Sequence, residues 1–102
     1  MDQPPLPEHT ARIFWSDQQI AKGLPDIAHT TDLSGFPDDP AGPEAWSLMC
    51  RFEVSPRAQG SPSLAKVRFL VEAAPHERLI PGAKLKLFER GTHAHAKVEI
   101  LD

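Results

Sequence analysis

From Ala83 onward the chain alternates apolar and polar residues with a period of two, pauses at a short connection, and alternates again. Ala83, Leu85 and Leu87 interleave with Lys84, Lys86 and Phe88; Ala94, Ala96, Val98 and Ile100 interleave with His95, Lys97 and Glu99. Successive strand residues point to opposite faces, so each set occupies one face of a strand. Pro81-Gly82 is a turn that feeds the first strand, and Gly91 supplies the positive φ that a short hairpin loop needs. The stretch from Arg78 to Asp102 is therefore predicted to be a β-hairpin, aliphatic on one face and lysine-bearing on the other. Whatever the rest of the chain does, it must bury that aliphatic face.

The 11 prolines fall mostly in the first half, where they limit helix length and favour short strands joined by irregular segments. Residues 1–9, with three prolines and two acids, read as an extended tail. Thr10 to Ser16 is a short strand with Ala11, Ile13 and Trp15 on one side and Arg12 and Phe14 on the other, and both sides are expected to be covered. Asp17 to Glu44 is punctuated by Gly23, Pro25, Gly35, Pro37, Pro40, Gly42 and Pro43 and reads as a long loop with one possible strand at Asp26 to Thr31. Ala45 to Val54 is a core strand, with Trp46, Leu48, Cys50, Phe52 and Val54 in phase. Pro56 to Pro62 is a turn. Leu64 to Glu72 is a strand with Val67, Phe69 and Val71 inward and Lys66, Arg68 and Leu70 outward, and residues 73–78 form an irregular turn. No stretch holds a 3.6-residue period and no internal repeat is present.

A chain of 102 residues has room for one core. The predicted fold is all-β: one domain over residues 10–102, a small closed or partly open barrel of five to six mostly antiparallel strands, since closure hides strand edges. A formal charge of -3 gives no global attraction to nucleic acid or to an anionic membrane. Cys50 is the single cysteine, which excludes an intramolecular disulfide and points to a reducing compartment. Met1 to Glu8 has neither a basic nor an apolar leader pattern, and no apolar run approaches the roughly 20 residues of a membrane span. A cytoplasmic protein with no membrane contact is expected.

The run Pro81-Gly82-Ala83-Lys84-Leu85-Lys86-Leu87-Phe88-Glu89-Arg90-Gly91, followed by an alternating terminal strand, resembles the end of the third-domain β-barrel of elongation factor Tu and of small stand-alone bacterial proteins with that barrel. In that family a Pro-Gly turn introduces a strand ending near Glu-Gly-Gly, and Pro81, Gly82, Glu89 and Gly91 match it. The opening strand Ala11-Arg12-Ile13 and the segment Gly23-Leu24-Pro25 fall where the family has its first strand and a Gly-x-x-Pro loop. Arg90, His95 and Lys97 stand where glycines are common in the family, and Gly35-Phe36-Pro37 only echoes its Gly-Tyr-Arg-Pro segment. In the elongation factor that barrel has no catalytic residues and contacts aminoacyl-tRNA and a protein partner; the resemblance implies a binding barrel here, and carries over the fold rather than the partner. No Gly-x-x-x-x-Gly-Lys-Ser/Thr loop is present, so no nucleotide and no other cofactor is expected.

The candidate binding residues are Lys66, Arg68, Lys84, Lys86, Phe88, His95 and Lys97, which would share the outer sheet face with Leu70 if the strand of Lys66 neighbours the hairpin. Such a face suits a protein partner or, by stacking and charge, RNA. Lysines on a sheet face also serve simply to keep it solvated. His93 and His95, two apart on a strand, could ligate a metal with His76 as a third ligand, which would make a metal-dependent enzyme. Cys50 sits in phase with core residues and reads as an inert small hydrophobe; Trp15 and Trp46 read as core or near-core; Asp38, Asp39 and Glu44 read as an acidic surface turn. The expected function is a non-catalytic binding module for a protein partner, with RNA binding and metal-dependent catalysis as the alternatives.

Overall fold

The computed structural model describes residues 7–36, 45–88 and 94–102. Six strands close into a barrel: β1 (His9–Trp15), β2 (His29–Gly35), β3 (Trp46–Arg51), β4 (Ser63–Phe69), β5 (Lys84–Phe88) and β6 (Ala94–Ile100). Their order around the barrel is β1-β4-β3-β2-β5-β6, every pairing is antiparallel, and β6 closes onto β1. The long-range pairing of β1 with both β4 and β6 places the first strand at the centre of the β4-β1-β6 arc.

Alternation explains which residues fill the interior. Ala11, Ile13 and Trp15 from β1, Leu48 and Cys50 from β3, Ala65, Val67 and Phe69 from β4, Leu85 and Leu87 from β5, and Ala96, Val98 and Ile100 from β6 are all buried. The expected inward set of β1 is thus the observed one, as is that of the hairpin except for Ala83 and Ala94, which are only partly buried. Val54 and Val71, expected inward, are instead 53% and 45% exposed, because β3 stops at Arg51 and β4 at Phe69, before either residue can join the ladder. Phe14, expected to be covered, is 40% exposed on the outer face.

The segment expected to be a long loop contains two elements. Helix α1 (Asp17–Lys22) begins at Ser16, whose hydroxyl accepts the Gln19 N–H at 3.2 Å, and ends at Gly23, held at φ 102. The strand at Asp26 to Thr31 lies three to four residues later, as β2. It escapes an apolar pattern because its inward residues are Thr30, Asp32 and Ser34. Ser34 is fully buried, and its hydroxyl donates to the Trp46 carbonyl at 2.7 Å, which satisfies a polar group that would otherwise be costly to bury. A second short helix, α2 (Pro56–Gln59), replaces the expected turn. Ser55 caps it, Pro56 occupies its first turn where a missing N–H costs nothing, and Gly60 ends it. The acidic stretch Asp38, Asp39 and Glu44 lies outside the described residues.

β1 begins at His9, and Glu8 ahead of it accepts two hydrogen bonds from Arg51, at 3.1 and 2.9 Å. The hydrogen bonds from that guanidinium hold the Glu8 carboxyl below its usual range, so the clamp persists in mild acid and is lost as pH falls through the lowered value. At the other terminus the Asp102 carboxylate accepts the Thr10 N–H at 2.7 Å.

The Pro81-Gly82 turn behaves as the sequence predicts. Gly82 sits at φ 88, and its N–H donates to the Ile100 carbonyl at 2.8 Å, which ties the start of β5 to the end of β6. A Cβ at Gly82 would meet no atom within 4 Å, so the cost of Gly82→Ala is that of the backbone conformation alone. Urea denaturation is expected to show a loss of about 1–2 kcal/mol; an unchanged midpoint would show that the turn relaxes to negative φ.

Candidate functional site

The outer face of β5, β6 and β1 carries two cross-strand rows. In the first, Lys86 lies opposite Lys97, and Lys97 opposite Phe14; in the second, Lys84 lies opposite Glu99, and Glu99 opposite Arg12. The rows bound a groove of about 410 Å³ whose lining includes Phe14, Lys84, Lys86 and Lys97. Arg12 and Glu99 form an ion pair at 3.5 Å. Lys86 and Lys97 have no acidic partner among the described residues, and directly opposed like charges on a sheet repel. The face therefore holds positive charge that no acidic side chain among the described residues neutralises.

The seven candidate residues divide. Lys84, Lys86 and Lys97 come together as the hairpin predicts. Lys66 and Arg68 do not join them, because β1 lies between β4 and β6. Both have other engagements: the Lys66 ammonium donates to the Thr10 hydroxyl, and Arg68 to the Phe69 carbonyl at 3.4 Å. Phe88 alternates outward two residues beyond Lys86 on the same strand, opposite Leu33 of β2 and Ala94 of β6, but it does not line the groove; the aromatic that does is Phe14. Leu70 follows β4 and is likewise separated from the hairpin.

His95 departs furthest from its expected place. Leu87 pairs with Ala96 and Phe88 with Ala94, which leaves His95 as one extra residue in β6. Such a bulge breaks the alternation and re-aims a side chain. The imidazole leaves the outer face and stacks on Trp15, with ring centroids 5.9 Å apart, and Nε2 lies 3.6 Å from an oxygen of Asp32. The two side chains are only 15% and 13% exposed. Asp32 also accepts the Thr30 hydroxyl at 3.2 Å, whereas Nδ1 of His95 is buried without a hydrogen-bond partner among the described residues.

The pair combines an acid and a base, yet the nearby nucleophile is disabled. Burial, and secondarily the negative charge of Asp32, pushes the Cys50 thiol up to about 12. His93 lies outside the described residues. His76 stands at the opposite end of the barrel, edge-on to Phe69, where its Nε2–H meets the Val71 and Glu72 carbonyls at 3.0 Å each. His76 and His95 are therefore not brought together. Among the described residues no group of three or more His, Cys, Asp or Glu side chains could hold a metal ion.

Asp32, Thr30 and Phe14 were not selected by sequence reasoning. The first two lie on a strand without an apolar pattern, and Phe14 lies on the side of β1 that was expected to be covered. Its outward phase, opposite to Ala11, Ile13 and Trp15, was the available signal.

Removing the lysine repulsion should stabilise the barrel. Lys97→Glu places a carboxylate opposite Lys86, and thermal or urea unfolding at low salt is expected to show a gain of ~0.2–1 kcal/mol that fades as salt rises. A loss of stability would mean that Lys97 has a structural partner.

No helix among the described residues is long and apolar enough to cross a membrane. Comparison with protein families, with curated proteins and with solved structures found no match to this chain.

Proposed function

We propose that this barrel is a non-catalytic binding module that docks a protein partner on the outer face of β5, β6 and β1. The observation that carries the reading is the row Lys86, Lys97 and Phe14: two opposed lysines beside an aromatic ring left 40% exposed, at some expense in stability. The groups with chemical potential are turned inward instead, Cys50 fully buried and His95 packed on Trp15. The likeness of the Pro81-Gly82 turn and the hairpin to the third domain of elongation factor Tu supports the same reading, a barrel that binds and leaves chemistry to another component. The unpaired, buried Cys50 is consistent with a reducing, cytoplasmic setting.

RNA binding is the second reading, favoured by the lysines flanking an exposed aromatic. It is the weaker one, since Lys66 and Arg68 stand apart from the face and Glu99 lies within it.

The test is affinity capture from native lysate with the wild-type chain, Phe14→Ser and Lys97→Glu, each with and without nuclease. A protein that survives nuclease, binds the wild type and is lost from both variants is the expected result. A partner retained equally by both variants would place the docking surface elsewhere, and a nuclease-sensitive complex would favour RNA.

A further inference from the structure

We infer that the partner presents an acidic amphipathic helix, with carboxylates one turn apart and an apolar side chain set against Phe14; this rests on the docking face proposed above. The barrel itself narrows the choice. On this face β6 is paired to β5 on one side and to β1 on the other, so a partner docking there cannot add a strand to it through backbone hydrogen bonds and must be read through side chains. Of the modes that remain, a helix laid in a groove needs only side-chain contacts.

Charge selects the sign. The chain carries -3 overall, but the groove holds Lys84, Lys86 and Lys97, with Glu99 already paired to Arg12. An acidic occupant gives Lys86 and Lys97 the counter-charges they lack among the described residues, and it relieves their repulsion on binding. Spacing selects the helix. Lys84 and Lys86, two apart on β5, stand roughly 6.6–6.8 Å apart along the strand, and Lys86 and Lys97 face each other at about 5 Å. Side chains at i and i+3 or i+4 of a helix are about 5–6 Å apart. One turn of such a helix can therefore set a carboxylate on each of two lysines, while an adjacent apolar position meets Phe14.

The same features disfavour single-stranded RNA. One exposed aromatic in the groove gives one stacking surface, and lysine offers a point charge where a planar arginine fork would also stack on a base.

The experiment is fluorescence anisotropy of the full chain with three labelled probes at low and at near-physiological salt. Two are peptides of about four helical turns with the same Glu, Leu and Ala content, one with glutamates at i, i+4 beside a leucine stripe and one scrambled. The third is an oligouridine. The patterned peptide is expected to bind at least about tenfold more tightly than the scrambled one, and Phe14→Ser and Lys97→Glu each to weaken it by about tenfold. Arg57→Glu, an equal charge change on α2 beyond β4, should alter affinity by less than about twofold.

Equal binding of the two peptides, or equal losses from Lys97→Glu and Arg57→Glu, would overturn the helix inference. Tighter binding of oligouridine than of either peptide would overturn the choice of a protein ligand. If both face variants lose the lysate partner and yet neither peptide binds, the docking face stands and the acidic helix falls. A lysate partner that both variants retain removes the face itself.

Discussion

Trp15→Ala is expected to lower the unfolding free energy by about 3–5 kcal/mol, the range for truncating a buried large aromatic. A chain of this size has only about 5–15 kcal/mol in total, so much of the variant should be unfolded at physiological temperature. The size of the effect follows from what the indole holds together. It is 7% exposed, its Nε1–H donates to the Ser63 hydroxyl at 3.0 Å, and its ring lies 6.5 Å from Phe52 and 5.9 Å from His95. Strands β1, β4 and β6, which close the barrel, therefore meet at this one side chain together with the residue that follows β3. Removing it leaves a cavity and strips His95 of its stacking surface.

Trp15→Phe separates packing from hydrogen bonding. Ser63 would still donate to the Gly60 carbonyl at 2.6 Å, so no buried hydroxyl is stranded, and the loss should be nearer 1–2 kcal/mol. Urea unfolding followed by far-UV circular dichroism measures both. A loss below about 1.5 kcal/mol for Trp15→Ala would mean that the barrel end collapses around the gap.

How far the sequence can be read depends on whether a residue's environment is set by its own strand or by another. Leu85, Leu87, Val98 and Ile100 were legible because alternation alone decides their direction, and the Pro81-Gly82 turn because only glycine accepts its φ at low cost. Helix α1 was legible in principle: Ser16-x-x-Gln19 is a capping-box spacing and Gly23 a C-terminal stop. The short Asp17–Lys22 span offered too few turns to show a period. β2 was legible only as a vague strand, since its interior contacts are made by Thr30, Asp32 and Ser34, and polar inward residues invert the usual signal.

The candidate site was half legible for the same reason. Lys84, Lys86 and Lys97 share a face through the local register of one hairpin. Whether Lys66 and Arg68 join them depends on β1 being inserted between β4 and β6, a long-range pairing that no periodicity encodes. The bulge at His95 lies beyond periodicity too, because it is itself a break in the period. One extra residue was enough to move an imidazole from the outer face to Trp15 and Asp32.

Cys50 should react with a thiol reagent at least about a thousandfold more slowly in the native barrel than in the urea-unfolded chain. Two causes act together. The side chain is fully buried, so a reagent must wait for the barrel to open. Burial and then the Asp32 charge raise its pKa from 9.0 to about 12, and three units lower the thiolate fraction at neutral pH by ~10³. The same shift ties stability to alkaline pH, and the sign is fixed. The folded thiol keeps its proton where the unfolded one loses it, so the stabilisation from a neutral Cys50 is complete below about pH 9. It is then lost as pH rises toward about 12, by up to ~1.4 kcal/mol per unit. Cys50→Ala removes that slope: the variant should be the less stable at neutral pH because of its smaller side chain, and the gap should close as pH climbs. Asp32→Asn, which removes the lesser cause, should speed native labelling only slightly. Parallel pH curves for wild type and Cys50→Ala, or fast native labelling, would show that the thiol reaches solvent and that the interior beside Asp32 is open.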